Sequence, residues 1–351
     1  MQRNYGLGFL RMKLFITALL MGAMAFPYSS SGQTAEEDVD SVESVRFTGE
    51  VATEVNYGQI TGVPHLWDFP HVTVAGTLEL PRGWSFVAEL EYERFREDNE
   101  WGNNFRDDYT TNLLYVNKRW SSGLNVKAGI IDVPVGVTNS RGQALTIYDP
   151  VSESLLLPMT WHEGGLAFWG AQGRWHYDVG GLIYSAFTAR GTRALGVDAR
   201  SEYWFVDHDD DYAKVGVSAY WGTSGWGTLG LQRPDFMEND GVLIGAFDWD
   251  VCLSGFVSDG SFIKTSDADV WSVGAEAGYN VLQQVTDKVS TIPFVRYDGV
   301  YDGTMGNYLT LGMNIELPYG FILKGQNAWY HKHAEKSSHH WDLSVGYSLA
   351  F

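Results

Sequence analysis

The chain has 351 residues, 44% hydrophobic and 19% charged, with 24 Lys and Arg against 43 Asp and Glu for a formal net charge of -19. That charge sets aside a nucleic-acid partner, because phosphate backbones attract basic patches and this chain repels them. A single cysteine, Cys252, excludes an intramolecular disulfide and a thiolate zinc cluster. The 14 Trp, 19 Tyr, 18 Phe and 40 Gly against only 10 Pro favour strands and tight turns, the composition of an all-β chain.

At the N-terminal end, Arg11 and Lys13 precede the apolar run LFITALLMGAMAF (14–26), and the chain then turns Ser-rich and acidic at AEEDVD. This layout is that of a secretory signal over residues 1–25, cleaved between 25 and 35, with Ala23-Met24-Ala25 as a small-x-small site and Met12 as an alternative start. An acidic segment, 26–44, follows. The apolar run falls short of the roughly 20 residues a spanning helix needs, and no later run reaches that length. A closed barrel needs no such run, since its strands satisfy one another's backbone groups in hydrocarbon.

From residue 45 onward, alternation of period two predicts about sixteen strands. They fall near 45–59, 70–81, 85–96, 110–121, 124–138, 162–171, 174–187, 196–206, 212–222, 241–249, 252–262, 270–283, 291–302, 307–317, 321–332 and 341–351. Between 196 and 262 Gly and Asp interrupt the pattern, and GFVSDGS reads equally as loop. The closing strand is the clearest: Trp341, Leu343, Val345, Tyr347, Leu349 and Phe351 share one face, and Asp342, Ser344, Gly346, Ser348 and Ala350 the other. Its aromatic positions Trp341, Tyr347 and Phe351 are expected to act as the membrane-insertion signal read by the barrel assembly machinery. The short turns PRG, SSG, AQG and PYG are expected on the side of both termini, with longer connections outward. Trp84, Trp120, Trp175, Trp221 and Trp341 fall near strand ends, where aromatic belts belong. The fold class is thus an all-β transmembrane antiparallel barrel over 45–351, in the outer membrane of a bacterial cell, in contact with its lipid. A soluble sandwich or propeller fits less well, because no blade-length repeat is visible.

Three segments, VKAGIIDVPVG (126–136), ESLLLPMTWHEGGLAFWG (153–170) and IPFVRYDGVYDG (292–303), resemble the porin family named after the phosphate-selective porins O and P, in a Bacteroidetes-like form. The resemblance implies a sixteen-stranded channel, commonly a homotrimer, whose third external loop folds inward as the constriction. That loop maps to SRGQALTIYDPVSESLLLPMTW (140–161), whose apolar LLLP would be costly in water. The resemblance also implies arginines and lysines at the constriction, whereas this loop sets Arg141 against Asp149 and Glu153, a departure that does not favour phosphate.

A pore needs no catalytic residue and no cofactor; its functional side chains face the lumen. The candidates for the pore lining and constriction are Glu89, Glu91, Arg119, Lys127, Arg141, Asp149, Glu153, Arg296, Asp298 and Lys324, with Arg119, Lys127, Arg296 and Lys324 as a basic wall facing an acidic loop. Cross-strand pairing of these charges is the competing reading. His331, His333, His339 and His340 read as a solvated loop and DHDDD (207–211) as a turn, so no metal site is expected. The predicted function is passive diffusion of small hydrophilic solutes or ions. A plugged structural or surface-binding barrel is the alternative, followed by a rim enzyme, for which no convincing nucleophile and base pair is found.

Overall fold

The computed structural model describes residues 44–60, 63–99, 102–120, 123–140, 144–185, 195–208, 211–222, 242–266, 270–286, 288–332 and 337–351. The expected signal and nearly all of the acidic segment lie outside these residues, as do Arg141 and His333. Sixteen strands follow in order: β1 (Arg46–Ile60), β2 (Val63–Leu80), β3 (Trp84–Asn99), β4 (Gly102–Arg119), β5 (Leu124–Asp132), β6 (His162–Gln172), β7 (Trp175–Ser185), β8 (Gly196–Asp207), β9 (Tyr212–Gly222), β10 (Val242–Leu253), β11 (Phe256–Thr265), β12 (Val270–Tyr279), β13 (Ser290–Asp302), β14 (Met305–Leu317), β15 (Phe321–Lys332) and β16 (Ser338–Ala350). Each pairs antiparallel with its neighbours in sequence, and β1 pairs with β16, so the sheet closes into a barrel without an edge. Among the described residues, no helix is long and apolar enough to cross a membrane.

The outward face carries the oily residues that the alternation assigns to it. On β14, Leu309, Leu311 and Met313 are exposed while Tyr308, Thr310 and Asn314 are buried. On β16, Leu343, Val345 and Leu349 are exposed while Asp342 and Ser344 are buried. Large apolar side chains on so many strands would be an unstable surface in water, and they make a continuous lipid-facing coat in a bilayer. Trp84, Trp120, Trp175 and Trp221 are exposed at strand ends. The Phe351 amide and carbonyl exchange hydrogen bonds with Gly49 at 2.9 and 2.8 Å, closing the seam, and its ring lies 6.1 Å from that of Phe47.

Hairpin chemistry sets several boundaries. Arg82-Gly83, Ser254-Gly255 and Tyr319-Gly320 each place two successive residues at positive φ (67° and 74°, 49° and 79°, 68° and 82°). Such pairs match the twist of the flanking strands, and glycine takes the second position without steric cost. The turn at Ser254-Gly255 moves the boundary of the tenth and eleventh strands, so that β11 runs to Thr265 and, after the turn glycine, the FVSDGS of GFVSDGS is strand rather than loop. The largest early starts are those of β2, at Val63 instead of 70, and β4, at Gly102 instead of 110. The largest difference is β5. The span 124–138 is strand only to Asp132, because the valines at 133, 135 and 137 are buried within a loop rather than turned to lipid.

Candidate pore constriction

That loop, Val133 to Trp161, joins β5 to β6, and its described residues, 133–140 and 144–161, fold against the inner wall of the barrel. Its base is closed by the Val133 amide donating to the Trp161 carbonyl at 2.8 Å. Within it, a single helical turn, α1 (Val151–Ser154), carries Glu153, whose carboxylate accepts the amides of Val137 and Thr138, each at 2.9 Å. Asn139 ties the two limbs together, donating to the Pro158 carbonyl and accepting the Trp161 amide, both at 2.9 Å. Side-chain acceptors thus take up amides that a long irregular segment would otherwise bury without partners. Glu153→Ala is expected to leave the Val137 and Thr138 amides unpaired, at a cost of about 1–3 kcal/mol each. The check is limited proteolysis in detergent: cleavage within 144–160 should accelerate while the barrel keeps its heat-modifiable gel mobility.

Apolar side chains seat one side of the loop. Leu156, Leu157, Met159 and Trp161 are buried with Tyr220, Val242, Ile244 and Ile263 of β9, β10 and β11, and the Trp161 and Tyr220 rings lie 4.5 Å apart. This takes Leu156 and Leu157 of the apolar LLLP out of water and leaves Leu155 half-buried. Polar contacts hold the rest. The Gly136 carbonyl accepts from Arg200 at 3.3 Å, and the Ile147 amide donates to Gln326 at 2.8 Å. Asn314 and Lys324 donate to the carbonyls of Leu145 (2.8 Å) and Thr146 (3.3 Å), and the Leu145 amide donates to Glu276. Ser152 donates to Asp298 through its amide (3.2 Å) and hydroxyl (2.6 Å), while Ser272 donates to the Ser152 carbonyl. The loop therefore covers the wall from β8 through β15.

The wall it leaves opposite, on β16 and β1 to β4, is acidic. Glu54, Asp68, Glu91, Glu93 and Asp342 are buried there with Asn56, His71 and Asn112. Asn112 donates to Glu91 at 2.6 Å and Glu89 at 3.1 Å, and Gln326 donates to Asp342 at 3.1 Å. The loop apex, Tyr148 and Asp149, approaches this wall. Burial pushes the Tyr148 hydroxyl well above its ordinary pKa, and the fields of Asp342, Asp68, Glu54 and Glu93 add to the rise. Burial likewise pushes the Asp149 carboxyl well up, reinforced by Glu153 and Glu91 and opposed by Arg296. All these groups are barely exposed, so little solvent reaches the level where the apex and the wall meet.

The sign of the Asp149 effect is fixed by linkage. Its folded pKa lies above the ordinary value of 3.8, so the docked loop holds a proton that the undocked loop releases. Docking is therefore favoured below that value and weakens as pH rises through the window up to the raised pKa. Asp149→Asn is expected to flatten this dependence, measured as protease sensitivity of the loop between pH 4 and 8.

The candidates read from the sequence fall into three groups. Glu89 and Glu91 lie on the acidic wall facing the loop apex, with Asp149 on the apex itself. Arg296, Asp298 and Lys324 lie beneath the loop: Arg296 is fully buried between Asp298 (3.0 Å), Glu276 (2.9 Å) and Asp259 (3.3 Å), and Lys324 serves a loop carbonyl. Lys127 pairs with Asp132 (2.9 Å) and Asp178 (2.7 Å), and Arg119 with Glu79 (3.5 Å). The four bases thus stand apart, three of them in ion pairs and Lys324 on a loop carbonyl, and do not assemble into one wall opposite the loop. Glu153 acts within the loop. Trp341 and Tyr347 lie on the outer face of β16, and the exposed Phe351 follows its last residue. Asp68, His71 and Asp342 were not among the candidates. Asp342 was legible from the alternation of β16, whereas Asp68 and His71 stand on either side of an irregularity at Phe69-Pro70 that breaks the period.

No protein-family model matches the chain, and no curated protein matches it. Solved structures do. The chain is similar to OmpF of Salmonella typhi in complex with daunomycin (TM-score 0.58, 10% identity, 87% of this chain and 97% of that one). It is also similar to OmpT of Vibrio cholerae (0.57, 9%, 87% and 97%) and to the low-pH structure of Pseudomonas putida OprB (0.57, 7%, 87% and 92%). At such low identity what is shared is the architecture: this chain has the fold of a sixteen-stranded bacterial outer-membrane β-barrel.

Proposed function

We propose that the protein is an outer-membrane porin that passes small hydrophilic solutes and favours cations. The observation that carries this reading is the gathering of carboxyl groups at one level of the barrel, where the apex of an inward-folded loop meets Glu54, Asp68, Glu91, Glu93 and Asp342. Carboxylates lining a constriction attract cations and repel anions, phosphate included. An inward loop is in keeping with the resemblance to the phosphate-selective porins O and P, while Lys127 and Arg296, which would attract phosphate, are tied up in ion pairs. Trimeric assembly and insertion through Trp341, Tyr347 and Phe351 by the barrel assembly machinery belong to the same reading, as does a non-catalytic role.

Planar bilayers test it: the purified protein is expected to give stepwise conductance, and liposomes containing it to swell in small sugars and not in large ones. The burial of the aperture side chains favours a second reading, a barrel plugged by its own loop. That reading predicts neither steps nor swelling.

A further inference from the structure

The geometry points to a binding site for a divalent first-row transition ion on the acidic wall, formed by Asp68 of β2, His71 of β2 and Glu93 of β3. In a regular strand, residues three apart face opposite sides. Here the pairing of β2 with both its neighbours shifts between Asp68 and His71, and the irregularity turns both side chains inward, leaving 3% and 2% of each exposed. One donor atom from each of Asp68, His71 and Glu93 lies within 4.8 Å of the others. The His71 Nδ1 is 3.3 Å from Asp68 Oδ2 and 4.0 Å from Glu93 Oε1. Donors held about 2.1 Å from a tetrahedral centre stand about 3.4 Å apart, so the three need only small adjustments to close on an ion.

Two features orient the set toward a ligand. The far nitrogen of His71, Nε2, is 3.1 Å from Glu91, which is held in turn by Asn112 at 2.6 Å. A carboxylate on one imidazole nitrogen fixes the ring and leaves the other free for a metal. Asn56 donates to Asp68 Oδ2 at 3.0 Å, while Asp68 Oδ1 and Glu93 Oε1 have no hydrogen-bond partner among the described residues. Both side chains are more than nine-tenths buried, at 3% and 7% exposure. A buried carboxylate oxygen without a partner is costly, and a cation between them satisfies both. One imidazole with carboxylate oxygens suits zinc and its first-row neighbours better than magnesium, which prefers oxygen and water alone. The competing arrangement, an imidazolium neutralising the carboxylates, leaves no nitrogen lone pair for an ion.

Equilibrium dialysis of zinc against the full protein in detergent tests the site without reference to conduction. The wild type is expected to retain about one zinc per chain, with His71→Ala, Asp68→Asn and Glu93→Gln each weakening retention by about tenfold or more. Millimolar magnesium should not displace the zinc. Equal retention by wild type and variants, or displacement by magnesium, overturns the site. Should His71→Ala lose heat-modifiable mobility, the other two variants decide by the same criterion. In bilayers, zinc should reduce wild-type current reversibly on chelation and leave Glu93→Gln current unchanged. Zinc retention in a protein that carries no current at all would sink the channel reading and leave the metal site standing.

Discussion

Gly274→Leu is expected to release the loop from the wall and to raise single-channel conductance several-fold. The inner face of β12 presents Ser272, Gly274, Glu276 and Gly278, and α1 of the loop rests on it. A Cβ built at Gly274 overlaps the Ser152 hydroxyl and crowds Asp298 and Arg296. A leucine there removes the seat of Ser152, and with it the two bonds to Asp298 and the one from Ser272. Three such bonds at about 1 kcal/mol each are worth roughly a hundredfold in the docked population. The apolar contacts around Leu156 and Leu157 stay, so the loop swings away at its α1 end while its base holds. Conductance unchanged from wild type, in a barrel with normal heat-modifiable mobility, would show that the loop does not set the narrow level.

The triple change Glu54→Gln, Glu91→Gln and Asp342→Asn is expected to bring the potassium-to-chloride permeability ratio from well above one to near one. These carboxylates come from three separate strands and converge on the wall that the loop apex faces. Their fields add in a confined, poorly hydrated space, where charge is weakly screened. Glutamine and asparagine keep the size and much of the hydrogen bonding, including an acceptor for Ser344 at Glu54 and for Gln326 at Asp342. Conductance should change less than selectivity. By contrast, the double change Lys127→Met and Asp178→Asn should leave the ratio close to wild type, because it removes a base and the acid paired with it together and so keeps the local charge of the barrel wall.

The barrel itself was legible in the chain. Each of the sixteen strands lies over or within a few residues of a segment with period-two alternation, and on β16 the exposed Leu343, Val345 and Leu349 and the buried Asp342 and Ser344 fall on the faces that the alternation assigns. What alternation does not carry is what covers the inner face. Arg296 and Lys324 do sit on inward faces, yet whether such a base meets solvent depends on a loop well over a hundred residues away in the chain, and that loop docks over both. Val133, Val135 and Val137 illustrate the same limit, since V-x-V-x-V reads as strand until Gly136, at φ 83°, bends it into a loop core. The length of β2 was hidden because Phe69-Pro70 interrupts the pattern, and the same interruption concealed that Asp68 and His71 share a face.

The central claim is a water-filled passage whose narrow level is negatively charged. It is tested most directly by the zero-current potential of the wild-type protein in a planar bilayer separating concentrated from dilute potassium chloride. A potential positive on the dilute side, from potassium crossing in preference to chloride, is the predicted result. A potential of zero, one of opposite sign, or a membrane that never shows discrete current steps would contradict it.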